Sequence, residues 1–331
     1  MYWSPAESGK VRCELCPHTC LIGEGKPGIC RVRVNRGGKL TPLVNGRLSA
    51  IHSDPVEKKP LYHFHPGRQI LSVGTRGCNL KCSFCQNHHL SQGEFLSPGR
   101  ETMVTPGELA GIALSMADNT GVAYTYNEPT VFYEFMLAAA GEVRKAGLKN
   151  VVVTNGYIQP EPLRELLPVV DAFNVDLKSF SDDFYHRMTG GRLAPVLESL
   201  KMISSAGKHL EITLLVIPTL NDSEEEFREL TQWISTELGK DVPLHLSRYF
   251  PAWKLTLPPT PVGTLDRFAA IAEKELHFVY TGNVTDGRHS STWCPECRSE
   301  VIRREWPGAE TDGMGPPGHC RKCGATISGI F

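Results

Sequence analysis

Two spacings of apolar residues alternate along most of the chain. Short runs rich in β-branched and aromatic residues recur as QILSVG (69–74), GVAYTY (121–126), NVVVTN (150–155), DAFNVDLK (171–178), LEITLLVIP (210–218), VPLHLS (242–247) and HFVYTG (277–282). Each reads as a buried strand. Between them lie longer segments whose apolar residues fall three and four apart, the spacing of a helix face. TPGELAGIALSMAD (105–118) opens on Thr105, Pro106 and Glu108, a capping box with proline in the first turn, and sets Leu109, Ile112, Ala113 and Met116 along one side. SEEEFRELTQWISTEL (223–238) carries its own box in Ser223 and Glu226, and further helices are expected up to 144, around 191–206 and near 264–275. Strand, helix, strand, repeated about six times, argues a parallel sheet with helices outside. Right-handed crossovers curl such a sheet into a full or partial barrel. The expectation is an α/β fold, a partial (β/α)6 barrel of TIM type over residues 68–285.

The flanks break this alternation. Residues 1–67 are punctuated by Gly and Pro, and KLTPLV and RLSAIH flank Asn45-Gly46, which reads as a hairpin turn. RVRVNR (31–36) alternates Arg with Val and Asn, as a strand with one wet face does. From 286 onward the chain is again rich in Gly and Pro. Three parts are therefore expected: a Cys-rich segment (1–67), the barrel (68–285) and a four-Cys module (286–331).

Composition narrows the function classes. Of 331 residues, 40% are hydrophobic and 21% charged, as in a soluble globule with one main domain and appendages. The net charge of −1 gives no general footprint for nucleic acid. Residues 10–47 hold eight Lys/Arg against Glu14 and Glu24, which reads as a solvated face. ITLLVIP (212–218) is too short to span a bilayer, and MYWSPAESGK lacks the apolar core of a secretory signal. A cytoplasmic location is expected.

Cysteine changes the picture most. The eleven cysteines fall in three clusters: Cys13, Cys16, Cys20 and Cys30; Cys78, Cys82 and Cys85; and Cys294, Cys297, Cys320 and Cys323. Clustered C-x-x-C pairs without a signal peptide point to metal sites rather than a disulfide framework. The middle cluster, in GTRGCNLKCSFCQN (74–87), follows the first barrel strand, where the loops at strand ends carry chemistry. Three thiolates on a cubane iron–sulfur cluster leave one iron open to a substrate or cofactor. A zinc site completed by one of the twelve histidines is the other reading of this spacing. Phe84, beside the last ligand, is placed to shield the site and stack on a flat ring.

CNLKCSFC (78–85), with its x3–x2 spacing and its aromatic before the last cysteine, resembles the signature loop of radical S-adenosylmethionine (SAM) enzymes. Over about 68–285 the likeness is to their pyruvate formate-lyase activating enzyme branch. With CELCPHTC (13–20) included, the chain resembles the AmmeMemoRadiSam system enzymes, named for their association with AMMECR and Memo proteins. That resemblance implies a 4Fe-4S cluster on Cys78, Cys82 and Cys85. It also implies SAM chelated at the open iron and a 5′-deoxyadenosyl radical that abstracts hydrogen from a protein glycine or another substrate. An electron donor such as flavodoxin or ferredoxin is implied as well, with AMMECR or Memo proteins as further partners.

The same resemblance places residues around SAM. In YTYNEPT (124–130), Glu128 matches the acid that binds the SAM ammonium, while Tyr126 and Asn127 replace the usual glycines. Thr154 and Asn155 in TNGY (154–157) line the ribose or methionine portion, with Gly156 also readable as a tight turn. In DLK (176–178), Lys178 pairs with the SAM carboxylate and Asp176 with a polar group or cation. His245 is a further SAM contact, and Arg248 and Tyr249 face the substrate.

The outer clusters read more plainly. CPEC (294–297) and CRKCG (320–324), with 22 residues between them, form a pattern for a tetrahedral four-thiolate site holding zinc or a single iron. Gly324 allows the turn after the second pair, and Arg298 takes that place in the first. Cys13, Cys16, Cys20 and Cys30, with His18 as a spare ligand, suit structural zinc or an auxiliary iron–sulfur cluster. A multi-zinc binding or scaffold protein without radical chemistry is the alternative to the enzyme.

Overall fold

The computed structural model describes residues 2–93, 95, 101–284, 289–305, 308–316 and 318–331. Its centre is one eight-stranded sheet. β1 (Ala50–Pro55) runs antiparallel to β2 (Gln69–Gly74) along one edge. β3 (Asn119–Tyr124), β4 (Lys149–Thr154), β5 (Ala172–Asp176), β6 (His209–Val216), β7 (Leu244–Arg248) and β8 (Val279–Gly282) follow β2 in chain order, each parallel to the one before. Sequence neighbours are sheet neighbours, so each parallel step needs one crossover. Those crossovers carry α1 (Pro106–Ser115), α2 (Tyr133–Lys145), α3 (Pro160–Leu166), α4 (Leu193–Ser205), α5 (Glu224–Glu237) and α6 (Val262–Ala272). The result is a partial barrel whose seven parallel strands, β2 to β8, all end on one face.

The expected strands are all present, and the differences lie in side-chain partners. The capping box of α1 forms in full, but Ile112 is 38% exposed, and Leu109, Ala110 and Ala113 make the buried face. In α5, Ser223 caps the Glu226 amide, whereas the Glu226 carboxylate takes the Ser179 hydroxyl and the Phe180 amide instead. The hairpin at Asn45-Gly46 does not form. Strand Lys39–Pro42 pairs back with Arg33–Arg36 across Gly37 and Gly38, both at positive φ, and Arg47–Leu48 pairs with Thr102–Met103. Arg33 is not on a wet face either. It is 2% exposed and forms a two-pronged ion pair with Glu134 of α2, at 2.7 and 2.6 Å.

Packing ties the ends of the chain to the sheet in two ways. Val11, Cys13, Leu15, Ile22, Cys30 and Val32 belong to the same apolar cluster as Val122, Val152 and Phe132 of the barrel. Cys294, Val301, Ile302, Met314, Cys320 and Ile327 form a separate small core around Phe278 and Tyr280. A third cluster closes the start of the strands. There Val56, Leu61 and Phe64 pack on Ile70, Ala123, Val151 and Ala172, the last three in register across β3, β4 and β5. Ile330 joins this floor through bonds with the backbone of His63 and His65. Among the described residues, no helix is long and apolar enough to cross a membrane.

Candidate active site at the strand ends

The cysteine loop leaves β2 at Gly74 and is held by the loop after β3. The Thr75 amide donates to Asn127 Oδ1 (3.0 Å), and Asn127 Nδ2 donates to Thr75 Oγ1 (3.0 Å) and to the Gly77 carbonyl (2.9 Å). Gly77 has φ +86°, and a Cβ there would lie 2.7 Å from the Cys30 carbonyl, so only glycine fits. Further on, the Lys81 and Ser83 amides donate to the carbonyls of Thr189 and Met188.

Donors already surround the loop sulfurs. Cys78 Sγ accepts from the Leu80 amide (3.4 Å) and from Asn155 Nδ2 (3.7 Å), and Cys85 Sγ lies 3.1 Å from the Ser91 hydroxyl. Burial drives the Cys78 thiol well above its usual range, with the Glu128 charge adding to it. Burial likewise pushes Cys82 up to about 12, against the pull of Lys178. Thiols held this way give up their protons to a metal, because metal binding replaces the proton directly. The N–H and O–H groups already aimed at the sulfurs then fit iron–sulfur ligation.

The other expected site residues fall into three groups. Glu128, Thr154 and Asn155 form one knot. Glu128 is 2% exposed; its Oε1 accepts from the Thr130 amide (3.0 Å) and the hydroxyls of Thr130 and Thr154 (both 2.7 Å), and its Oε2 accepts from the Asn155 amide (2.9 Å). It also caps the short turn Pro129–Phe132. Burial raises its pKa in spite of these donors. Glu128 thus welds the end of β4 to the loop after β3 and fixes Asn155 beside Cys78. Gly156 is the turn that follows, at φ +68°.

Asp176 and Lys178 pair at 2.8 Å at the end of β5. Burial works to lower the Lys178 pKa, but Asp176 and Cys82 outweigh it and the net shift is upward. That balance puts the ammonium within electrostatic reach of the cysteine loop. Phe84 is buried and lies 5.9 Å, centroid to centroid, from Phe184.

His245 belongs to a different network. Its Nε2 is 2.6 Å from Glu211 Oε2 and its ring stacks on Tyr280 at 5.2 Å. Glu211, fully buried, also meets His209 Nε2 (2.9 Å) and the amides of Tyr62 (3.0 Å) and His63 (2.7 Å). Burial opposes its charge, yet the two imidazoles hold its carboxyl well below the usual range. His245 lines a cavity together with Thr213, Ser247 and Arg304, and none of the loop cysteines lines it. Arg248 and Tyr249, expected to face a substrate, are committed elsewhere. Arg248 Nε donates to the Thr260 carbonyl (2.7 Å), and the Tyr249 hydroxyl donates to the Leu255 carbonyl (2.8 Å).

Asn79 is the residue that sequence reasoning passed over. It is 1% exposed, its Nδ2 donates to the Tyr157 carbonyl (2.7 Å), its Oδ1 accepts from Asn155 (2.9 Å), and its carbonyl takes His18 Nε2 at 2.7 Å. Its only signal in the sequence is adjacency to Cys78.

In the tail, four sulfurs converge. Cys294 and Cys323 are 3.6 Å apart, Cys297 and Cys320 3.7 Å, and the ligand atoms of all four lie within 4.8 Å of one another. The Ser299 hydroxyl sits 3.1 Å from Cys297 Sγ and 3.3 Å from Cys320 Sγ. Arg298 and Gly324 turn the two knuckles alike, at φ 57° and 77°.

The strand-end loop of three cysteines on this partial parallel barrel lies inside a recognised family domain. The Radical SAM superfamily matches residues 72–231, so the chain carries a radical SAM domain. The uncharacterized protein MJ0808 of Methanocaldococcus jannaschii is 39% identical over 333 residues, covering 99% of this chain and 98% of that protein. The pyruvate formate-lyase-activating enzyme of Streptococcus mutans serotype c is 24% identical over 181 residues, covering 52% of this chain and 67% of that one. The structure of Streptococcus suis SuiB bound to S-adenosylmethionine superposes with a TM-score of 0.52 at 15% identity, over 68% of this chain and 55% of that one, a likeness of fold. That domain supports SAM-dependent radical chemistry on a 4Fe-4S cluster.

Proposed function

We propose that the chain is an activating-enzyme-like radical SAM oxidoreductase that abstracts hydrogen from a protein, as a glycyl-radical activase does. The observation that carries this reading is the open set Cys78, Cys82 and Cys85 at the end of the first parallel strand, with Asn155 and Lys178 beside it. A bound 4Fe-4S cluster supplies the electron that cleaves SAM to methionine and a 5′-deoxyadenosyl radical.

The chain's own residues hold and orient. Cys78, Cys82 and Cys85 ligate the cluster, and the Leu80 amide, Asn155 and Ser91 donate to their sulfurs. Lys178 takes the SAM carboxylate and Asp176 the ammonium, two charges already arranged at the strand end. Glu128 positions Thr154 and Asn155 rather than meeting the ligand itself, since its oxygens are occupied by four protein donors. Phe84 shields the loop, and His245 lines a separate cavity.

The tail quartet binds zinc, for which a tetrahedron of ~2.3 Å bonds has edges of about 3.8 Å. Residues 1–67, 68–285 and 286–331 act as metal segment, barrel and zinc module. The setting is the cytoplasm, with a flavodoxin or ferredoxin as electron donor and AMMECR or Memo proteins as partners in an AmmeMemoRadiSam system.

The test is oxygen-free reconstitution with iron and sulfide, followed by dithionite and SAM. A brown protein that forms 5′-deoxyadenosine, and that carries deuterium into it from a labelled partner, is expected. A colourless protein holding zinc alone favours the multi-zinc scaffold.

A further inference from the structure

We propose that Cys13, Cys16, Cys20 and Cys30 hold a second 4Fe-4S cluster rather than a zinc ion. All four are free thiols and line one cleft. The tail quartet shows what a single-ion site looks like in this protein, with sulfurs already 3.6 and 3.7 Å apart. Among the described residues, that quartet is the group of three or more His, Cys, Asp or Glu whose ligand atoms all lie within 4.8 Å of one another. No three of the N-terminal sulfurs lie that close to one another; the four are spread along the wall of the cleft instead. A zinc tetrahedron has edges of about 3.8 Å, so this ring is too wide for one ion and suits a polynuclear core.

The walls of the cleft point to the same group. Arg33 lines it, 2% exposed, with both terminal nitrogens bound to Glu134. Its Nε is buried and has no partner in hydrogen-bonding geometry. A buried donor without an acceptor is costly. The thiolate and bridging sulfide sulfurs of a bound cluster would give this donor its acceptor. The Ile29 amide already donates to Cys20 Sγ at 3.5 Å. His18, the spare ligand for a zinc reading, has its Nε2 engaged by the Asn79 carbonyl. As the cluster binds, each thiol gives its proton to solvent and its sulfur takes one iron, with no electron transferred.

The site abuts the cysteine loop. Asn79 lines the cleft and binds Asn155, which in turn donates to Cys78, and Gly77 packs against the Cys30 carbonyl. The assignment goes beyond the radical reading and does not depend on it, because a chain without the loop cysteines tests it.

The experiment uses the full chain carrying Cys78→Ala, Cys82→Ala and Cys85→Ala, reconstituted without oxygen. About four iron and four sulfide per chain, with about one zinc, are expected. Reduction should give a cubane EPR signal that SAM does not perturb, since four thiolates leave no open iron. Adding Cys13→Ser and Cys30→Ser should remove the iron and keep the tail zinc. A colourless triple variant with about two zinc ions, or iron that survives the added substitutions, overturns the proposal. The wild-type chain gives a check free of folding artefacts. Its Mössbauer spectrum should hold two cubanes, with about one iron in eight shifting when SAM binds, and a spectrum in which about one iron in four shifts refutes the second cluster.

Discussion

In the tail, cysteine sulfurs are one another's neighbours, at 3.6 and 3.7 Å. In the loop after β2, the sulfurs are met by the Leu80 amide, the Asn155 side chain and the Ser91 hydroxyl. The tail quartet is complete within one short module with its own small core. The loop is built by groups from β4, the loop after β3 and the segment near Thr189, so its shape depends on the whole barrel. A closed site of this kind contributes to folding, whereas an open one backed by donors and a lysine is built for ligand exchange at the metal.

Substitution separates the two most sharply. Cys82→Ala should abolish SAM cleavage, read as 5′-deoxyadenosine, and leave the tail metal at full occupancy by elemental analysis. Retained cleavage removes Cys82 from the ligand set. Cys320→Ala should do the reverse. Loss of a structural zinc costs on the order of 10–16 kcal/mol in small modules, so residues 289–331 should become protease-sensitive while iron at the loop persists.

Acid should strike the junction between tail and barrel next. Burial holds His63 down at about 4, and its ring meets the Ser328 carbonyl and the Tyr280 hydroxyl, both at 2.6 Å. The folded pKa lies below the unfolded one, near 6.5, so this stabilisation is complete above pH 6.5. It is lost as pH falls toward 4, about 3 kcal/mol in all. Urea midpoints measured across that window should fall, and His63→Gln should flatten the slope. The smallest effect separates the two knuckles. Arg298 holds φ 57° where Gly324 holds 77°, so Arg298→Gly should stabilise the tail by about 0.5–1 kcal/mol, seen as a higher melting temperature.

The barrel was legible because its strands are dense β-branched runs and its helices carry caps that need no distant partner. What escaped depended on distant partners. RVRVNR reads as half wet because nothing nearby announces Glu134, about a hundred positions on, which makes burial of Arg33 affordable. Asn45-Gly46 does form a turn, but the strand after it is claimed by Thr102–Met103 rather than by the strand before it. Glu226 leaves its capping box because Ser179 and Phe180 offer it two donors at the end of β5. Near the site, the three loop cysteines declare themselves by spacing. Glu128 reads as a ligand-binding acid because its four donors come from Thr130, Thr154 and Asn155, a knot that only the folded strand ends assemble.

The floor of the barrel has a kinetic consequence. His63 meets Ser328 across 265 positions of sequence, and Ile330 pairs with the backbone on either side of Phe64. Contacts that close so long a loop come late, after nearby strands and helices have found each other. The floor should therefore be the last part of the barrel to close, after the strands and helices above it have paired.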